Sequence, residues 1–99
     1  MNYITVVRAK LKGNPADAKK MHDATVEQLS AMTRPMGATG HKPHLNPQDP
    51  TQFLAIDSWN NLEGLQKFMS DPQVAQAFGM LFEGTPDISI WAESDWASF

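Results

Sequence analysis

DPTQFLAIDSWN, residues 49–60, decides the fold of this chain. Asp-Pro is a turn dipeptide, so the apolar run from Phe53 to Trp59 starts as a new element. At a period of two, Phe53, Ala55, Asp57 and Trp59 share one face, and Leu54, Ile56 and Ser58 share the other. Both faces are mostly apolar, which marks an interior strand covered on both sides. A single acid, Asp57, interrupts it. A carboxylate there is costly unless it is paired or sits near water at the strand's end. Asp57 stands two residues from that end, so it either caps the helix that follows or orients a nearby histidine.

Upstream, NPQDP (46–50) reads as a turn of about five residues. It joins the strand to GATGHKPHL (37–45), where two glycines and Pro43 predict a short or bulged strand at a sheet edge. Earlier still, Asn2 to Leu11 alternate as a strand, with Ile4 and Val6 on one face and Tyr3, Thr5, Val7 and Ala9 on the other. Asn14, Pro15 and Asp17 then mark a helix start, by cap, first position and dipole respectively. Ala18, Met21, Thr25, Leu29 and Met32 form its apolar stripe, and Pro35 and Gly37 end it after Arg34.

Downstream, Asn60 and Glu63 have capping-box spacing, and Leu62, Leu65, Phe68 and Met69 give an apolar helix face. Ser70-Asp71-Pro72 breaks that helix and restarts it, with Asp71 as cap and Pro72 at the first position. Val74, Ala75, Phe78, Leu81 and Phe82 continue at helical spacing, and Gly84 suits a C-terminal cap. Asp87 to Glu93 is the last strand, with Ile88, Ile90 and Ala92 on one face and Ser89, Trp91 and Glu93 on the other. The tail SDWASF leaves Trp96 and Phe99 without an obvious place in so small a core.

The order β-α-β-β-α-β is that of the ferredoxin-like α+β fold: a four-stranded antiparallel sheet with its helices on one face. Ninety-nine residues make one such domain, spanning 1–99. Strands apolar on both faces should not leave one of them in water, so two sheets are expected to pack face to face. The expected assembly is a homodimer, a dimeric α/β barrel.

The formal charge of −3 and the lack of a Lys/Arg cluster argue against nucleic acid or an anionic membrane as partner. With no cysteine, disulfides, thiol nucleophiles and thiolate metal sites are excluded. The start MNYITVVRAK lacks a basic leader, and no apolar stretch is long enough to span a bilayer, so a cytoplasmic protein is expected. Phosphate loops and serine-hydrolase or His-Glu-x-x-His motifs are absent from the sequence.

The stretch from Asp49 to Phe78, DPTQFLAIDSWNNLEGLQKFMSDPQVAQAF, resembles the antibiotic-biosynthesis-monooxygenase-like family of dimeric α/β barrels. Phe53, Asp57, Trp59, Leu65, Pro72 and Phe78 stand at the matching positions. The resemblance implies a small hydrophobic pocket between sheet and helices, with Trp59, Asp57, Phe68, Trp91 and Phe78 as candidate lining residues. It also implies a small hydrophobic or aromatic ligand. In some relatives such a pocket supports oxygenation without a cofactor; in others, isomerisation, haem degradation or no known reaction. Family members often carry a histidine in the helix before the break and another just after its proline. Phe68 and Gln73 stand there in this chain, and neither carries protons.

The proton-carrying candidates are instead His22 and His41. His22 lies at the margin of the first helix's stripe and reads either as a boundary residue or as a pocket residue facing the sheet. His41 shares its parity with Pro43 and Leu45, on the covered face. His41 and His44 are three apart and point to opposite faces of a strand, so they do not chelate one metal, and no metal or cofactor is expected. Trp59 and Trp91 read either as pocket walls or as core filling. Two functional readings follow: a cofactor-independent monooxygenase using His22 and His41, or a non-catalytic small-molecule-binding or stress-associated dimer.

Overall fold

Buried and open residues alternate along Tyr3–Leu11, and this strand, β1, is one of two inner strands of a four-stranded antiparallel sheet. The computed structural model describes residues 2–99. After β1 come helix α1 (Pro15–Thr33), a short 3-10 turn (Arg34–Met36), and strands β2 (Ala38–Asn46) and β3 (Asp49–Trp59). Helices α2 (Leu62–Met69) and α3 (Pro72–Leu81) and strand β4 (Phe82–Ala92) complete the chain. The sheet order is β2-β3-β1-β4, so the stretch that sets the fold is an inner strand, as its two apolar faces require.

Local chemistry sets most boundaries. The Asn14 side chain accepts from the Asp17 N–H with Pro15 at the first helical position, and Asp71 does the same for α3 ahead of Pro72. Gly37, at φ 113°, turns the chain out of the 3-10 segment into β2, a conformation that a side chain would strain. The break at Pro72 gives two helices where an unbroken apolar pattern would give one.

Several boundaries differ from the sequence expectation. The cap of α2 is Asn61, whose side chain accepts from the Gly64 N–H, and not Asn60. The Asn60 N–H is instead donated to the Gly37 carbonyl, which ties the end of β3 to the start of β2. The β2–β3 connection is only Pro47-Gln48, because the ladder extends back to Asp49. The strand before it spans nine residues rather than being short, and it is indeed an edge strand with a bulge. Gly84 does not end α3: the helix stops at Leu81, and Phe82 already pairs with Leu11. Gly84, at φ 68°, lies in a bulge of β4 where the register shifts opposite Ala9.

The helices cover one face of the sheet. Two buried clusters form beneath them: Val7, Leu11, Ala18, Phe53, Ala55, Leu81 and Phe82 in one, and Trp59, Leu65, Phe68 and Val74 in the other. Phe78 packs against both. Leu65 is wholly buried, and each such side chain contributes roughly 1.5–3 kcal/mol relative to exposure. The other face carries Ile4, Ile56 and Trp91, left 37%, 36% and 58% exposed, with Ile4 paired to Trp91 across the β1–β4 ladder. None of the described helices is long and apolar enough to cross a membrane. The tail beyond β4 runs in the open, with Trp96 and Phe99 almost fully exposed.

Two measurements check this packing. A Cβ placed on Gly64 would drive into the Met36 carbonyl, so Gly64→Ala is expected to lower stability in urea unfolding by about 1–3 kcal/mol or more. Asn61→Ala should cost about 1 kcal/mol, and more than Asn60→Ala, since only Asn61 caps the helix. Equal losses at the two positions would contradict the assigned cap.

Candidate active site

Between α1 and the covered face of the sheet lies a cavity of about 110 Å³. Its walls are mainly apolar. Val7 and Ala55 come from the inner strands, Phe53, Leu81 and Phe82 from one core cluster, and Trp59 and Phe68 from the other. Phe78 joins the wall from α3, and Thr25, Val26 and Leu29 close it from α1. Trp59 and Phe68 rings meet at a centroid distance of 5.3 Å, so these two residues fill core and line the cavity at once.

Besides Thr25, Ser30 and Thr33, the polar part of the wall is the exposed end of a hydrogen-bonded chain that crosses four elements. Thr5, Asp57 and His41 stand directly opposite one another on β1, β3 and β2. Their shared row on the covered face follows from the period-two alternation and the antiparallel register. The Thr5 hydroxyl donates to Asp57 Oδ2 at 3.2 Å, and His41 Nδ1 lies 2.5 Å from Asp57 Oδ1. On the far side of the ring, His41 Nε2 lies 3.0 Å from His22 Nε2. His22 Nδ1 in turn lies 3.1 Å from Asp23 Oδ1.

A strand bulge lies beside this row. Ala38 opposes Trp59 and Gly40 opposes Ser58, so Thr39 is an extra residue in β2. Counted from the Ala38–Trp59 pair, unbroken pairing would put Gly40 opposite Asp57; the bulge lets Ala38 and His41 both lie on the covered face.

His22 reaches the site because it lies one helical turn after buried Ala18. The inward line of α1 thus runs through Ala18, His22, Val26 and Leu29, while Met21, assigned to the stripe from sequence, is 41% exposed. The His22 side chain keeps 13% of its exposure and Asp57 19%, so both are largely withdrawn from water. His41 keeps 32%.

Asp57 therefore pairs with His41 and does not cap α2. A carboxylate on Nδ1 fixes the neutral ring as the Nδ1–H tautomer and turns Nε2 into a proton acceptor aimed at the cavity wall. Asp23 is held below its ordinary carboxyl value of 3.8, first by the hydrogen bond from Lys19 and next by that from His22. It remains an anion at neutral pH.

Of the residues singled out from sequence, His22, His41, Asp57, Trp59, Phe68 and Phe78 all line this one cavity. Trp91 does not. It projects from the opposite face of the sheet, where its indole N–H is donated to Ser89. Arg8 lies on that face as well, and His44 has the opposite parity to His41. Thr5, which is 2% exposed, was not legible as a site residue, because only the β1–β3 register puts its hydroxyl on Asp57. Among the described residues no three His, Cys, Asp or Glu side chains are placed to hold a metal ion.

No family model matches the chain, and no curated protein sequence matches it. Solved structures do. SnoaB, a cofactor-independent oxygenase from Streptomyces nogalater, superposes with a TM-score of 0.73 at 16% identity, over 96% of this chain and 95% of that one. Rv0793 from Mycobacterium tuberculosis gives 0.66 at 15% identity, over 99% and 100%. A candidate antibiotic biosynthesis monooxygenase from Deinococcus radiodurans gives 0.69 at 17% identity, over 100% and 98%. At these identities the likeness concerns the fold, and it holds over the whole chain: this protein has the ferredoxin-like α+β fold of the antibiotic-biosynthesis-monooxygenase-like structures.

Proposed function

We propose that the chain is a cofactor-independent monooxygenase-like enzyme acting on a small aromatic molecule in the cavity between α1 and the sheet. The observation that carries this reading is the Thr5–Asp57–His41–His22 chain, whose last three members line a mainly apolar wall. His41 and His22 act as the acid–base pair, and Asp57 positions His41. Trp59, Phe68 and Phe78 hold the ring of the substrate. The fold shared with SnoaB, which is described as a cofactor-independent oxygenase, is consistent with it.

The chemistry asks for a base and a dry pocket. A histidine removes a proton from an activated carbon, and the electron-rich anion passes its electrons to dioxygen. For a methylene, one oxygen atom ends in the new carbonyl, and the other leaves as water with the two hydrogens removed. No metal or flavin is required in that balance, because dioxygen is the oxidant. The cavity volume limits the substrate. At about 110 Å³ the pocket is below the roughly 150 Å³ of a closed cavity that holds benzene, and it is partly open, so single-ring compounds are the first class to test.

We further propose a homodimer joined through the open sheet faces. Ile4, Ile56 and Trp91 make that face too apolar to leave in water, and a second copy presents the same surface. The competing reading is a non-catalytic binding dimer, favoured by Phe68 and Gln73 at positions where the family carries histidines.

Light scattering at micromolar concentration is expected to give twice the chain mass, and Trp91→Asp to shift it toward the monomer; a monomeric parent protein refutes the dimer. For the reaction, oxygen uptake is followed with single-ring phenols and hydroquinones in the absence of added metal or flavin. His41→Ala should lower kcat/KM by about 10²- to 10⁴-fold, mostly through kcat. Unchanged turnover in a His22→Ala/His41→Ala double variant removes these residues from catalysis, and no uptake with any member of the series favours the binding dimer.

A further inference from the structure

We propose that His22 and His41 share a single proton, so that the resting pair is a cation and the cavity takes its ligand as an aromatic oxyanion. This rests on the reading of the cavity as a ligand site, but not on any turnover there.

The inference comes from counting protons. Each neutral imidazole carries one N–H, and a carboxylate accepts without donating. His41 Nδ1 faces Asp57 Oδ1 at 2.5 Å and His22 Nδ1 faces Asp23 Oδ1 at 3.1 Å, so both Nδ1 atoms must bear hydrogen. With both rings neutral, the two Nε2 atoms are then bare, and two lone pairs face each other at 3.0 Å. A third proton turns that contact into an Nε2–H···Nε2 hydrogen bond. A fourth would set two N–H groups head to head and break it. The rings are disposed for the bond: their centroids are 5.1 Å apart while the nitrogens are 3.0 Å apart, so they meet end to end through nitrogen.

The surroundings match that charge. The charged groups that face the pair are Asp57 from β3, Asp23 on α1, and Lys19 through Asp23. Thr5 from β1 donates to Asp57 and leaves the carboxylate anionic. The ring of Phe53, 5.6 Å from His22, is the apolar neighbour. With three protons, every hydrogen-bonding position of both rings is occupied, and no bare nitrogen is left to accept from a neutral hydroxyl. An incoming oxyanion can replace one Nε2 as acceptor of the shared N–H. The other histidine is released as a neutral ring with a free lone pair, and no proton needs to leave the site. Charge-assisted hydrogen bonds are about twice as strong as neutral ones, and the apolar wall reinforces them. The remaining wall takes the ring face.

Two measurements on the intact protein test this separately from catalysis. In nitrogen-15 NMR of the histidine side chains near neutral pH, both Nδ1 atoms should read as protonated and the two Nε2 atoms should show averaged, partly protonated character with mutual coupling. Two ordinary neutral rings, each with one bare nitrogen, overturn the shared proton whether or not the protein turns over any substrate. In calorimetry, benzoate and 4-nitrophenolate should bind about tenfold more tightly than benzamide, which has nearly the shape of benzoate and no charge. His22→Gln and His41→Gln should each reduce that preference to about twofold or less, with folding checked by circular dichroism. Equal binding of benzamide, a preference unchanged in both variants, or no binding of any of the three overturns the oxyanion assignment. Binding of only one of the two anions keeps the assignment and distinguishes carboxylate from phenolate.

Discussion

The pairing of the Asp57 carboxylate is the constraint on which this site depends. It stands on an inner strand beneath the helices, where an unpaired charge costs several kcal/mol. Each flanking strand supplies one partner in the same row, Thr5 from β1 and His41 from β2. The carboxylate is therefore satisfied within the sheet, and among the described residues no buried side-chain nitrogen or oxygen lacks a partner. Satisfying it also fixes the ring of His41, and with that the direction of the nitrogen offered to His22.

That row depends in turn on irregular features at the sheet's margin. Thr39 is an extra residue in β2, and a second shift lies near the turn, where Asn46 pairs with Asp49 but Leu45 already pairs with Phe53, so the register at His41 is not the one the Pro47-Gln48 turn begins. A one-residue slip would send His41 to the opposite face and bring its neighbour under the helices. The Gly37 contacts fix the other end of β2. Its carbonyl accepts from the Asn60 N–H, and a Cβ there would collide with Asn60 and Asn61. The glycine-rich start of β2, a weakness as strand, is thus what allows close approach beside the site.

Much of the fold was legible because apolar periodicity and cap chemistry are local. Asn14-Pro15 and Asp71-Pro72 marked helix starts from a few residues each, and the alternation around Ala55 marked the inner strand. Boundaries failed where a longer-range interaction won over a local one. Asn60 has the spacing of a cap, but its backbone is held by Gly37, and the cap moves to Asn61. Gly84 has the look of a helix end, but β1 already captures Phe82. The site was legible in its residue types and not in its connections. His22, His41 and Asp57 were identifiable one by one, whereas their convergence requires the β2–β3 register and the seating of α1 on the sheet. Trp91 failed for a related reason: a large aromatic on a strand carries no signal of which face is covered by helices and which awaits another surface.

The position of the histidines also separates this chain from the family pattern it resembles. There, proton carriers flank the helix break. Here Phe68 is 9% exposed and packed on Trp59, and Gln73 stands exposed at the start of α3, so the break supports packing alone. The polar groups lie instead on α1 and β2, where His22 and His41 face each other across the cavity wall. The ring of Phe68 adds to the apolar wall of the cavity at whose margin the histidine pair stands. Low dielectric strengthens every interaction of that pair with a bound charge. Phe68 at the break and the histidine pair on α1 and β2 are thus parts of one physical arrangement: a cavity with a mainly apolar wall and a polar end at which Asp57 orients the ring of His41.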